Sequence, residues 1–182
     1  AENEVYDPST DSWETKSQIP TPREHLASSV LHDQLYVIGG RNAQSNSDSN
    51  EMYDYTTNTW KTLEPLPTAR SGLTASTLSG GIFVFGGESS LYTFEENEVY
   101  IPGEGWFTQQ PMPISRHGLA SSTVGENIYV IGGGVIPGFS SSGITEKYHN
   151  TIVPEFGSIV LLILTSSIIS VIIFARRFGV VK

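Results

Sequence analysis

Three arginines stand at a nearly fixed interval, Arg23, Arg70 and Arg116, separated by 47 and 46 residues. A guanidinium presents a planar fork of donors and can clamp a carboxylate or another oxyanion through two hydrogen bonds. Two chemistries follow. The three side chains could line a central channel and hold an anionic ligand, or each could tie to a carboxylate or carbonyl at the junction between repeated units, with Glu4, Glu51 and Glu98 as the matching acids. Strict repetition favours the second, because a binding site breaks symmetry where a scaffold keeps it. The histidines, His25, His32, His117 and His149, show no short His-x-x-x-His metal spacing. His25 and His117, beside the repeated arginines, are read as packing or hydrogen-bonding groups. With no cysteine there is no thiolate metal site, disulfide or cysteine nucleophile. No catalytic residue, cofactor site or metal site is assigned.

The elements that position these arginines also repeat. LYVIGG, IFVFGG and IYVIGG recur with their glycines at Gly39-Gly40, Gly86-Gly87 and Gly132-Gly133, and Trp13, Trp60 and Trp106 follow the same intervals as the arginines. A period in this range points to a solenoid or a propeller. Within a period the order is constant: an Arg opens a run of small residues, an apolar run ends in Gly-Gly, a variable loop follows, and a Glu-x-Tyr segment leads to the Trp. Each run has strand length, β-branched or aromatic content and turn residues at its borders. Four short antiparallel strands per period follow, with no helical periodicity in this part of the chain.

Asp7 and Asp54 can accept backbone N–H bonds in the tight turn before each Trp, with Pro8 fixing φ in the first copy. The tryptophans begin an outer strand, where a large ring can cover the gap to the neighbouring sheet. Paired glycines suit a place where the backbone bends or approaches another strand closely.

The order Arg, Gly-Gly, Glu-x-Tyr, Trp at this period resembles the kelch repeat, the repeat of galactose oxidase-like central domains. Matching positions are Gly39-Gly40, Glu51-x-Tyr53 and Trp60 in one copy, and Gly86-Gly87, Glu98-x-Tyr100 and Trp106 in the next. Glu4-x-Tyr6 with Trp13, and Gly132-Gly133 with Glu146-x-Tyr148, belong to partial copies at either end. The third copy departs at VYIPGEGW, where Ile101 replaces Asp and the Tyr-to-Trp spacing shrinks by one, so that turn must differ in shape. The resemblance implies an all-β, kelch-type β-propeller fragment of about three blades over residues 1–149: two full blades, the inner three strands of another and the outer two of an earlier one. Propellers close with about 4 to 8 blades, so the sequence is expected to be the C-terminal part of a longer protein. Some kelch-like propellers are enzymes. The copper site of galactose oxidase-like proteins needs a Cys-crosslinked Tyr, and this chain has no Cys. A surface sugar-modifying enzyme, whose site lies partly in upstream blades, is the rival to a protein- or glycan-binding module.

The loops after Gly-Gly break the repeat: RNAQSNSDSN (41–50), ESSLYTFEEN (88–97) and GVIPGFSSSGIT (134–145). Loops on a rigid scaffold carry recognition, which makes Arg41, Tyr92, Phe94, Ile136 and Phe139 the candidate contact residues. The first loop is rich in Asp, Ser and Asn but lacks the ordered ligand spacing of a Ca²⁺ loop.

Charge is divided unevenly. Residues 1–155 hold all 19 acids against seven bases, and residues 156–182 hold three bases and no acid. An acidic, Lys-poor body is a poor partner for nucleic acid. Residues 156–175 form a charge-free run of 20 residues rich in Ile, Leu and Val, which as a helix would cover about 30 Å, the thickness of a bilayer core. Arg176, Arg177 and Lys182 follow, with Lys147 the one base in the 30 residues before. That asymmetry predicts a transmembrane helix with the basic end, 176–182, inside and the repeats outside. The linker 150–157 carries Pro154, Glu155, Phe156 and Gly157 immediately at the span. A short motif, one span and a basic end resemble the archaeal PEFG-CTERM sorting signal, which implies cleavage near the motif by an archaeosortase-like transpeptidase and display at the cell surface.

Overall fold

The computed structural model of the chain describes residues 2–149. Thirteen strands in four antiparallel sheets make up the described residues, which contain no helix. β1 (Asn3–Asp7) and β2 (Ser12–Lys16) form a two-stranded sheet. β3 (Ala27–Leu31), β4 (Gln34–Ile38), β5 (Asn50–Asp54) and β6 (Thr59–Thr62) form a four-stranded meander, as do β7 (Thr74–Leu78), β8 (Gly81–Phe85), β9 (Asn97–Ile101) and β10 (Gly105–Thr108). β11 (Ala120–Val124), β12 (Asn127–Ile131) and β13 (Thr145–His149) complete the set. The sequence expectation of two full blades between two partial ones is met. The expected span and its PEFG motif lie outside the described residues.

Turn chemistry fixes the registers. Two-residue hairpins join the first two strands of each of the three larger sheets: His32 and Asp33 both take positive φ, as do Ser79 and Gly80, while Gly125 alone does so before Glu126. The first two match type I′ turns and the third a type II′ turn, whose twist suits antiparallel strands. Asp7 and Asp54 cap the outer turns as expected: Asp7 accepts from Ser9 N at 2.8 Å and Asp54 from Thr56 N at 2.8 Å. In the shortened third copy, Gly103 and Gly105 take positive φ, and Trp106 still pairs with Tyr100 as Trp60 does with Tyr53 and Trp13 with Tyr6. Ring centroids in the three pairs lie 5.0–5.2 Å apart. Loss of one residue is absorbed in the turn, not in the register.

The sheets pack face to face through side chains that alternate along each strand. β8 is buried at every residue; Ile82 and Val84 enter a core shared with Tyr36, Ile38 and Leu73, while Phe83 and Phe85 enter another with Met112, Ile128 and Val130. The small-residue runs let the first strands of adjacent sheets approach. Ser29 and Thr77 hydroxyls lie 2.8 Å apart, and Ser76 and Ser121 hydroxyls 2.7 Å apart. The tryptophans bridge sheets as their outer position suggests, Trp60 Nε1 donating to Ser17 O at 2.7 Å and Trp106 Nε1 to Glu64 O at 2.9 Å. Trp13, at the edge of the two-stranded sheet, is exposed.

Candidate functional site

The repeated arginines belong to the scaffold. Arg23 donates through Nε to Gly39 O at 2.6 Å, through Nη2 to Val37 O at 2.9 Å, and through Nη1 to Thr21 O and the Glu51 carboxylate. Arg70 repeats the set with Gly86 O at 2.7 Å, Val84 O at 3.1 Å, Thr68 O and Glu98. Thr21 and Thr68 hydroxyls complete the shell by donating to the second oxygen of each carboxylate. All three guanidinium side chains are 0% exposed, so the channel-lining, anion-holding reading fails on burial. The partners lie in the arginine's own sheet, not across a junction: the Arg23 and Arg70 guanidinium groups each span from the sheet's second strand to its third. Burial pulls the Arg70 guanidinium below its ordinary value, and the adjacent Glu98 carboxylate opposes this. Arg116 is the outlier. It reaches Glu146 at 2.7 Å, but its Nε and Nη1 find no partner among the described residues. Glu4, at the matching place in β1, is exposed and unpaired among the described residues.

What crosses between sheets is the arginine backbone. Gly40 N donates to Arg70 O at 2.9 Å and Gly87 N to Arg116 O at 2.8 Å. Gly39 and Gly86 take positive φ, and a Cβ there would stand 2.9 and 2.5 Å from those same carbonyls. The glycine pair is therefore a spacer that seats one sheet on the next. Gly132 and Gly133 keep the positive φ, and among the described residues a Cβ on Gly132 would meet nothing nearer than 3.8 Å.

The diverging loops lie at one end of the sheets, where they frame a cavity of about 1040 Å³ lined by His25, Arg41, Asn46, Glu88, His117 and Phe139 among others. Arg41, Glu88 and Gly134 occupy the same repeat position, directly after Gly-Gly, and each pairs in a short bridge with the residue following the repeated arginine: Glu24, Ser71 and His117. Arg41 donates through Nε to Glu24 at 3.1 Å and through Nη1 to Glu88 at 3.1 Å. Glu88, 7% exposed at its side chain, also accepts from Gly138 N at 2.9 Å and lies 3.3 Å from His117 Nδ1. The His117 ring contacts Ile136 O through Nε2 at 3.0 Å. A chain of polar contacts thus runs Glu24, Arg41, Glu88, His117 across three sheets and braces the loop that carries Ile136 and Phe139.

Of the loop residues singled out from sequence, Arg41 and Phe139 line the cavity, with Phe139 fully exposed, and Ile136 is exposed nearby. Tyr92 is exposed in the adjoining loop, whereas Phe94 is buried beneath it with ring centroids 5.0 Å apart, so Phe94 supports the surface and is not displayed on it. Glu88, His117 and Asn46 were not singled out as contacts. One signal was available: aligning the loops on Gly-Gly sets a cation and an anion, Arg41 and Glu88, at the same place in successive repeats.

Residues 2–134 match the protein family described as the KLHDC2/KLHL20/DRC7 Kelch-repeats domain. Among curated proteins, the influenza virus NS1A-binding protein homolog of Mus musculus is 46% identical over 43 residues, 24% of this chain and 7% of that protein. The chain thus spans a small part of that relative's length. The family match takes in the Tyr–Trp pairs, the Gly-Gly spacers and the buried arginines, so the chain belongs to the KLHDC2/KLHL20/DRC7 Kelch-repeats domain family.

Proposed function

We propose that this chain is a protein-binding kelch module that works outside a cell, held at the membrane surface, and that contacts its partner through the loop end carrying Arg41, Tyr92, Ile136 and Phe139. The observation that carries the reading is a division of labour. In the two four-stranded sheets the repeated Arg, Gly-Gly, Tyr and Trp are consumed by the scaffold, while the segments that do not repeat gather round one cavity with a fully exposed aromatic at its rim. Rigid sheets presenting divergent loops are how binding modules separate stability from recognition. The relative found in mouse is named for binding a protein, the influenza virus NS1A. Surface display rests on the charge-free run 156–175 followed by Arg176 and Arg177, and processing by an archaeosortase-like enzyme rests on Pro154, Glu155, Phe156 and Gly157.

A photo-crosslinking residue at position 139 of the full chain in native membranes should capture a protein partner from the outer side. The same probe at exposed Tyr55, on the opposite end of the sheets, should capture none. Crosslinks at 55 and none at 139 would place the contact surface elsewhere. Recovery of an Arg176-containing C-terminal peptide from mature protein would remove the processing step.

A further inference from the structure

We propose that the loop end docks a cationic segment of a partner protein that presents one bulky apolar side chain, an inference that rests on the protein-binding reading above. Leu91, Tyr92, Val135, Ile136 and Phe139 are exposed on two adjoining loops. The Thr93 hydroxyl ties these loops, lying 2.9 Å from Ser115 Oγ and donating to Val135 O at 3.2 Å. The second loop is braced from below by Glu88 and His117. An apolar cluster on a braced surface beside a polar cavity loses little freedom on binding and marks an interaction site.

Charge decides the partner. Of the seven bases in the described residues, Arg23, Arg70 and Arg116 are buried against Glu51, Glu98 and Glu146, Arg41 lies between Glu24 and Glu88, Lys16 meets Glu14, and Lys61 and Lys147 are exposed on strands β6 and β13. At the loop end, Glu24, Asp48, Glu95 and Glu96 face solvent wholly or in part. Among the described residues there, Arg41 is the one Lys or Arg, and its charge is already met from both sides. An acidic partner would be repelled here and a basic one steered in. The apolar anchor would rest on Phe139 and Ile136, with lysines or arginines facing the carboxylates.

Three short synthetic peptides of equal length test this on the full chain: one with lysines flanking a central Trp, one with glutamates in place of the lysines, and one with Ser in place of the Trp. The Lys/Trp peptide should bind, and the other two at least about tenfold more weakly. Phe139→Ser and the double change Glu95→Gln with Glu96→Gln should each cut Lys/Trp binding several-fold, while Tyr55→Ser and Asp33→Asn at the opposite end should leave it unchanged. Equal binding of the Lys/Ser peptide, insensitivity to Phe139→Ser, or tighter binding of the Glu peptide would overturn the proposal. If position 139 crosslinks a partner through an acidic segment, the inference fails and the protein-binding reading survives. If neither position 139 nor position 55 crosslinks a protein, that reading itself fails, and crosslinks at 55 alone overturn the inference by moving the contact surface away from the loop end.

Discussion

Arg41 Nη1 lies 3.1 Å from Glu88 Oε1 although the two residues occupy the same place in successive repeats. Two copies of one position have taken opposite charges and so join neighbouring sheets at the end where their loops diverge. Glu88 also receives Gly138 N, so its carboxylate holds the loop bearing Phe139. Glu88→Gln removes the charge from a nearly buried group with three neighbours, and a stability loss of about 1–3 kcal/mol is expected in urea unfolding. Chymotrypsin should also cut after Phe139 faster than in the parent protein. An unchanged cleavage rate would show that Glu88 does not brace this loop.

The buried arginines should differ in weight. Arg70 serves three carbonyls and Glu98, whereas Arg116 reaches Glu146 with Nε and Nη1 unpartnered among the described residues. Arg70→Met leaves Glu98 buried without its cation and should cost about 3–5 kcal/mol. Arg116→Met abandons fewer bonds and leaves a more exposed Glu146, so its loss should be smaller by about 1–2 kcal/mol. Equal losses would mean that the carbonyl contacts of Arg70 contribute nothing.

Acid should loosen the outer turns. Hydrogen bonds from the Ser9 side chain and backbone hold the Asp7 carboxyl below its ordinary 3.8, and those from Thr56 do the same for Asp54. A carboxyl whose folded value is depressed adds stability that is fully present above its unfolded value and is lost as pH falls through the folded one. The loss should therefore appear below about pH 4. The double change Asp7→Asn with Asp54→Asn keeps the acceptors and removes the titration, so the fall in thermal midpoint between about pH 4 and pH 2 should be shallower. Parallel curves for the two proteins would assign the acid sensitivity to other groups.

The scaffold was legible because it repeats. Arg, Gly-Gly, Tyr and Trp hold register, and each answers a geometric need that recurs in both four-stranded sheets. The pairing of Arg23 with Glu51 was within reach for the same reason, but not its direction, since 28 residues of sequence separation do not tell a bond inside a sheet from one between sheets. The loops were harder. Phe94 and Tyr92 are two residues apart in a segment without strand periodicity, and which of them turns inward is decided by backbone bonds: Phe94 N donates to Gly87 O at 2.8 Å and Phe94 O accepts from Arg116 N at 3.1 Å. Nothing in the composition of that loop encodes those partners.

The spacer role of the first glycine in each pair can be separated from its backbone conformation. Gly86 and Gly132 share nearly the same φ, 59° and 68°, so a Cβ strains both by about the same amount, of order 1 kcal/mol. At Gly86 the added carbon would also stand 2.5 Å from Arg116 O and 2.8 Å from Leu119 Cδ2, whereas at Gly132 its nearest neighbour among the described residues is 3.8 Å away. The first carbonyl accepts the Gly87 N–H that joins two sheets, and it cannot retreat without breaking that bond. Gly86→Ala should therefore destabilise by at least about 2 kcal/mol more than Gly132→Ala in urea unfolding, the cost of overpacking a junction that cannot relax. If the two substitutions cost the same, the glycine serves only its own dihedral angle, and close approach of the next sheet is not what the repeat protects.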